Sequence, residues 1–466
     1  MSLGVRDSGL PARGRELVIL PMSILQKIRT NLREDPLLQR VVRNSGYLFG
    51  SNTISAALGV LQGFFIVRLL GAPDYGLLTI ITDFASNTNR LLSFRMSEVV
   101  AKYVGEALAQ EDRGRAAALV KGIGLLEAVM SVLAYLVLLA LSTWGARTLA
   151  DNESVVSLFR FYGLFLLANL MYETSVGVLQ STGQFKQVAR ANFYQSLAVT
   201  VLILTAFVLK QGMLGVLTAY LIGKTIAGIL VILFAIRELN QKLGDGWIHT
   251  PISLITDWKS ILGFALSTNL NGTVNLFARD NIRLYLALFL SNAQVGYFRL
   301  AASLINLVML PIEPFIWPTY SEITQTIGRR QWTATRKLLK QVSAIGGFWT
   351  LLAGGGLVAL GWWIIPLIYG SDMAPAYPGV LILLVGYAFA NILNWNRPLL
   401  LALGHPTYPL LVAVISGAIE IILIFVFVPG SNYLMGAAIF SAYLAISVTW
   451  NALRGLSIIK REEAAA

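Results

Sequence analysis

One layout of six apolar stretches occurs twice along the chain, the second copy about 221 residues after the first. Gly76, in Asp-Tyr-Gly-Leu-Leu, and Gly296, in Gln-Val-Gly-Tyr-Phe, each open an apolar run. Ala168-Asn169 matches Ala390-Asn391, Gly183 matches Gly404, and Gly215 matches Gly436 at nearly the same offset. Matches that recur in chain order argue for two homologous halves. An even number of spans per half returns the chain to the side where it began, so the halves are parallel repeats related by an axis along the membrane normal. The expectation is an all-α integral membrane protein with twelve transmembrane helices, in two parallel-repeat six-helix lobes around a central cavity.

Composition agrees. Charged residues make up 13% of the chain, against roughly 25% in soluble domains, which excludes a soluble globular class. A bilayer core needs ~20 helical residues per span. The first six are expected near 45–70, 76–101, 116–142, 154–179, 188–209 and 213–236. The second six are expected near 262–290, 295–321, 341–369, 378–402, 408–428 and 434–453. The chain therefore divides into a basic N-terminal segment, 1–44, and an N-lobe, 45–236. A polar linker, 237–258, leads to the C-lobe and a short tail, 259–466.

A net charge of +12 would suit nucleic acid, but the placement of the bases argues otherwise. Most lie in the N-terminal segment, the even-numbered loops and the tail; only Arg147 and Lys210 fall in odd-numbered loops. That is the positive-inside pattern. It predicts a multi-pass inner (plasma) membrane protein with both termini cytoplasmic, membrane lipids as partners and no nucleic-acid partner. Residues 1–44 lack an apolar stretch ended by a cleavage site, so the segment is expected to be retained. Ile24, Leu25, Ile28, Leu32, Leu37 and Val41 recur among Lys27, Arg29, Arg33, Arg40 and Arg43. The pattern suits a helix lying on an anionic membrane face or a loosely ordered basic tail.

The chain has no cysteine and two histidines, His249 and His405, both in expected loops. A thiolate metal site and a histidine dyad are therefore not expected, and no cofactor, metal or enzymatic activity is predicted. Gly223-Lys224-Thr225 resembles the end of a phosphate-binding loop, but Thr218 stands where that pattern needs glycine, and the tripeptide sits inside a span. With no nucleotide site, transport must draw on an ion gradient, a substrate gradient or the membrane potential.

Charge inside hydrocarbon is costly, so ionisable groups within spans normally face a partner or a wet cavity. In the second span Asp83, Ser86, Asn87, Arg90, Ser97 and Glu98 share one helix face. In the eighth, the repeat partner of the second, Arg299, Ser303, Asn306 and Glu313 do the same. The seventh carries Thr268, Asn271, Asn275, Arg279 and Arg283, and the first carries Asn52, Ser55, Gly59 and Gln62. Four polar stripes facing one cavity are the expected transport path. Arg90, Arg95, Arg279, Arg283, Arg299, Asn87, Asn271, Asn275 and Asn306 are the candidate substrate-binding residues; Asp83, Glu98 and Glu313 are the candidate ion-coupling acids. Competing readings are headgroup snorkelling for Arg68, Lys121, Arg160 and Arg299, and structural pairs such as Asp83 with Arg90. Glu127, Glu173 and Glu420 are single acids suited either to proton binding or to a packing hydrogen bond. Pro311, Pro314 and Pro318 predict a bent eighth helix.

Arg68-Leu-Leu-Gly-Ala-Pro-Asp-Tyr-Gly76 resembles the first external turn of the polysaccharide flippase family, within the multidrug, oligosaccharidyl-lipid and polysaccharide exporter superfamily. Val295-Gly-Tyr-Phe-Arg-Leu-Ala301 is similar to that family's turn into the eighth span, and Leu179-Gln-Ser-Thr-Gly-Gln-Phe-Lys186 to its loop between spans four and five. The resemblance covers residues 45–455. It implies a flippase that moves undecaprenyl-diphosphate-linked glycans to the outer leaflet by alternating access, with glycan polymerases or glycosyltransferases of the same pathway as partners. Basic residues on the stripes suit a diphosphate. The alternative is an ion-coupled multidrug exporter, which usually carries a coupling acid in the first span; none is present here.

Overall fold

The computed structural model describes residues 36–92, 96–277, 281–309, 311–405 and 407–465, and all regular structure among them is helical. Most of the expected amphipathic N-terminal segment lies outside these residues. The N-terminal half comprises α1 (Pro36–Leu92), α2 (Met96–Ala109), α3 (Arg113–Thr148), α4 (Val156–Gly163), α5 (Phe165–Ala168), α6 (Tyr172–Ser181), α7 (Phe185–Val208) and α8 (Gly212–Leu243). After 3₁₀ turns at Asp245–His249 and Ile252–Leu254 come α9 (Trp258–Asn275), α10 (Ile282–Ala287), α11 (Asn292–Met309), α12 (Glu313–Gly328) and α13 (Trp332–Tyr369). The chain ends with α14 (Tyr377–Ile392), α15 (Asn396–Ala402), α16 (Thr407–Phe427) and α17 (Tyr433–Ala465).

Nine segments among the described residues are long and apolar enough to cross a membrane. One of them, Gly50–Leu108, contains the first two expected spans. Gly71 (φ 73°, ψ 178°) interrupts the helical path between them, a left-handed conformation that glycine adopts without a Cβ clash. The seventh and eighth expected spans are each divided, α9 from α10 and α11 from α12. The second division falls at Pro311, as the missing backbone donor predicts. Length and apolarity alone thus do not reproduce a count of twelve.

The repeat landmarks mark backbone necessities. Gly183 and Gly404 both have φ near 75–79° just past a helix end, the usual left-handed helix stop. Asn169 caps the end of α5, and Asn391 lies in the last turn of α14. Breaks at these points free backbone groups inside apolar surroundings, and the chain supplies partners. Glu127 of α3 is one: its carboxylate oxygens accept from the backbone N–H groups of Glu173 and Thr174, both at 2.8 Å. Of the two roles open to Glu127, the structure gives it the packing hydrogen bond, holding the start of α6. Glu127→Ala strands two donors at a buried site, so thermal unfolding in detergent should show a loss of roughly 1.5–3 kcal/mol. Glu127→Gln, which keeps an acceptor, should fall between the two.

Three apolar cores organise the packing. The largest combines both halves: Leu78, Ile81 and Phe84 of α1 and Phe159 of α4 join Phe298 and Ala301 of α11, Met373, and Phe440 of α17. The second belongs to the N-terminal half, with the linker and the first turns of α9 laid against it: Val100, Leu119, Ile123, Leu179 and Val231 with Ile255 and Ile261. Arg115 pairs with Asp257 at 3.0 Å and Lys121 donates to the Thr250 carbonyl at 2.7 Å, fixing the linker there. The third is confined to the C-terminal half, around Ile323, Trp332, Leu339, Trp395, Leu399 and Ile459. The halves therefore share the largest core at one end; at the other, the N-terminal half's core takes in the linker and the start of α9, and the third core lies within the C-terminal half.

Candidate functional site

The shared end is built on a helix crossing without side chains. A Cβ on Gly76 would lie 1.6 Å from the Asn292 carbonyl oxygen, and one on Gly296 would lie 2.7 Å from the Ala72 oxygen and 3.2 Å from the Gly76 nitrogen. The two glycines that define the repeat offset thus bring α1 and α11 into backbone contact. Around the crossing, Arg68 donates to the carbonyls of Leu367 (2.6 Å) and Ile368 (2.9 Å) in the last turn of α13. A cation at a helix C-terminus meets the negative end of its dipole. Arg68 therefore ties one half to the other as well as lying at a span end.

From the crossing, one face of α1 makes a polar contact with the C-terminal half at each successive turn. Thr79 Oγ1 accepts from Arg299 at 2.7 Å. Asp83 pairs with Arg283 Nε at 2.7 Å. Asn87 donates its side-chain amide to Asn281, and the Leu91 carbonyl accepts from Asn269 at 3.3 Å. Residues 76, 79, 83, 87 and 91 follow the i+3/i+4 spacing of one helix face. Arg299 is 220 residues beyond Thr79, so it bonds its own repeat counterpart. Its guanidinium also lies 4.7 Å from the centre of the Tyr75 ring, a cation–π contact. Tyr162, Tyr220 and Asp83 stand within its field. These contacts replace the headgroup snorkelling considered for Arg299.

The residues chosen from sequence divide as follows. Asp83, Asn87, Arg283 and Arg299 meet at the seam between the halves. Farther along the same two helices Arg90, Ser303 and Asn306 are exposed. Asp83 pairs with Arg283 across the seam; the i+7 partner considered for it, Arg90, lies exposed two turns on. Glu98 is half-buried on α2. Arg95 and Arg279 lie outside the described residues, and the side chains of Asn271, Asn275 and Glu313 are likewise not described.

The stripe on the first span turns away from the seam. Ser51 donates to the Ala189 carbonyl at 2.8 Å, Ser55 bonds Ser196 at 2.8 Å, and Gln62 donates to Thr200 Oγ1 at 2.9 Å and to the Ser196 carbonyl. It joins α1 to α7 within the N-terminal half. Sequence reasoning did not single out Thr79, Tyr75 or Asn281. Thr79 carried a signal, one turn before Asp83 on the same face; Asn281 and Tyr75 did not, because their roles depend on which helix faces them.

Comparisons with known proteins bear on the family and the fold. Residues 65–378 match the family model described as "Polysaccharide biosynthesis protein". The chain is 22% identical over 351 residues to the inner membrane protein YghQ of Escherichia coli (strain K12), covering 74% of this chain and 96% of that one. Among solved structures it resembles an inward-facing multidrug resistance MATE family transporter of the MOP superfamily, with a TM-score of 0.71 at 14% identity, covering 88% of this chain and 96% of that one. It also resembles the lipid II flippase MurJ in an inward closed conformation, with a TM-score of 0.69 at 15% identity, covering 90% of each chain. The family match spans more than half of the sequence, and the apolar helices and the shared fold accord with it: this chain belongs to the polysaccharide biosynthesis protein family, as a multi-pass membrane protein with the fold of the MATE and MurJ transporters.

Proposed function

We propose that the chain is an alternating-access flippase that moves a polyprenyl-diphosphate-linked oligosaccharide, or a related polysaccharide precursor, from the cytoplasmic to the outer leaflet. In this reading twelve helices form two six-helix lobes, 45–236 and 259–466, around a central cavity in the inner membrane, with both termini cytoplasmic. The observation that carries it is the arrangement of cores: the largest is shared by both halves at the Gly76–Gly296 crossing, while at the other end two smaller cores lie apart, the start of α9 reaching across to the N-terminal one. Cytoplasmic termini make the crossing external. The space between the separate cores then opens toward the cytoplasmic leaflet, where a lipid-linked precursor would be met.

Cations on that path suit a diphosphate. Arg283 and Arg299 come from the C-terminal half and Arg90 from the N-terminal half, with Arg279 a further base on the seventh-span stripe and Arg95 a further base of the second span. Guanidinium groups bind phosphate oxygens in pairs and remain charged in low dielectric. Asn87, Asn271, Asn275 and Asn306 supply amides for sugar hydroxyls. The pairing of Asp83 with Arg283 suggests the coupling step: a diphosphate that takes Arg283 releases Asp83, which then binds a cation. Glu98 and Glu313 are the next acids along the stripes. MurJ bears the name of a lipid II flippase, an amphiphile of the class proposed here, and the family's description points to polysaccharide precursors. Glycan polymerases or glycosyltransferases of the same pathway would be its partners.

The test is reconstitution of the full chain into liposomes holding a fluorescent polyprenyl-diphosphate oligosaccharide, with an impermeant quencher reporting the leaflet. Protein-dependent flipping is expected. An Arg90→Ala, Arg279→Ala double variant should lower the rate roughly tenfold to a hundredfold, since charged hydrogen bonds contribute ~1.5–3 kcal/mol each. A wild-type rate in that variant removes both residues from the path. A protein that expels organic cations and leaves the lipid-linked glycan in place is a multidrug exporter, and the proposal is wrong.

A further inference from the structure

A cavity of about 220 Å³ lies inside the N-terminal half, lined by Ser55 and Gln62 of α1, Tyr162 of α4, Gln195, Ser196 and Val199 of α7, and Tyr220 and Lys224 of α8. Every lining residue comes from one half, and Tyr162 and Tyr220 stand between the cavity and Arg299 at the seam. Lys224 falls 12 residues after Gly212, the first residue of α8, about 18 Å along that helix. Its neighbour Gly223 packs so closely on α7 that a Cβ there would lie 2.1 Å from Val199 Cγ2. That contact holds Lys224 against the cavity wall.

The polar groups around this ammonium are unevenly committed. The Gln62 amide donates to the Ser196 carbonyl and to Thr200, and the Ser196 hydroxyl bonds Ser55. Among the described residues Lys224 makes no hydrogen bond or ion pair, and no carboxylate lines the cavity. On the far side of the cavity wall Arg299 bonds the Tyr220 hydroxyl, and Arg299 and Asp83 both act on Tyr162. An ammonium partly withdrawn from water gains from a counter-charge, and phenol and amide donors beside it favour an acceptor-rich guest. The volume exceeds that of several waters, each occupying about 30 Å³.

We propose that this cavity is an anion site in which Lys224, Tyr162 and Gln195 hold a phosphate-type oxyanion. The oxyanion arrives free from solution or as the diphosphate of a lipid-linked molecule, and Lys224 is its charge partner. The inference does not depend on the transport reading, because binding is measured without flipping.

Purified full-length protein in detergent is titrated with inorganic phosphate at constant ionic strength set by sodium chloride, and separately with a short-chain polyprenyl diphosphate, following thermal unfolding and heat. Lys224→Met removes the charge with little change of volume; Lys224→Arg keeps it. Size-exclusion profiles establish that both variants fold. A rise in unfolding temperature with inorganic phosphate, kept in Lys224→Arg and lost in Lys224→Met with affinity at least about tenfold weaker, establishes a site for the free ion. The same dependence with the polyprenyl diphosphate alone establishes a site for the lipid headgroup. Binding of either ligand that is unchanged in Lys224→Met, or no binding of either to the wild type, overturns the proposal.

Discussion

In the proposed orientation, Gly76→Val is expected to pry the external ends of the two halves apart. Neither Gly76 nor Gly296 has a positive φ, so the requirement for glycine at the crossing is one of space alone. A Cβ on Gly76 would overlap the Asn292 carbonyl, at 1.6 Å from its oxygen and 2.5 Å from its carbon. Both are backbone atoms and cannot turn aside as a flexible side chain would. Overpacking typically costs about 1–3 kcal/mol, and more where backbone must move. The helices can relieve the clash only by separating, which also breaks the Arg299–Thr79 bond one turn away. Because the chain has no cysteine, Ser86→Cys reports access cleanly. An impermeant thiol reagent added outside should label Ser86→Cys poorly in the otherwise unchanged chain and strongly once Gly76→Val is added. Gly76→Ala should give a smaller effect of the same sign. Equal labelling with equal unfolding temperature would mean that the crossing is not the external closure.

The features that sequence made visible are those the backbone enforces locally and the repeat enforces twice. Gly183 and Gly404 end helices with positive φ, Asn169 and Asn391 sit at helix breaks, and Gly76 and Gly296 touch. The glycines are needed for steric reasons and Asn391 bonds Thr350 through its side-chain amide, so the shared offset survives where the surrounding apolar residues drift. Faces were readable too, because helical spacing puts Asp83, Asn87 and Arg90 on one side of α1 whatever lies opposite. What lies opposite was not readable. Arg90 was the nearer base in sequence to Asp83, yet Asp83 pairs with Arg283 on another helix, and no one-dimensional spacing encodes that. The stripe of Ser55 and Gln62 shows the same limit: its periodicity is clear, but it faces α7 in its own half. Lys224 belongs to a cavity assembled from four helices, each giving only one to three residues. No single segment could announce it.

Asp83→Asn should tighten substrate binding while slowing turnover, if the carboxylate and a diphosphate compete for Arg283. Asp83 is 18% exposed and Arg283 33%, so the pair is partly shielded from water and its strength lies between surface and buried limits. Removing one partner is therefore expected to cost about 1–3 kcal/mol. Arg283→Ala should cost more than Asp83→Ala, because it takes a contacting cation from the better-buried group. The double alanine variant should lose less than the sum, the signature of a coupled pair. Unfolding in detergent measures that coupling; strict additivity would reduce the pair to two unconnected side chains. Transport distinguishes a switch from a brace. A structural pair loosened by Asp83→Asn leaves substrate affinity the same or weaker. A competing pair frees Arg283 for the diphosphate, which should raise apparent affinity by about tenfold for 1.4 kcal/mol of lost competition and trap the loaded state. Apparent affinity that falls in Asp83→Asn while turnover stays at the wild-type rate would remove Asp83 from the coupling step and leave it as part of the seam.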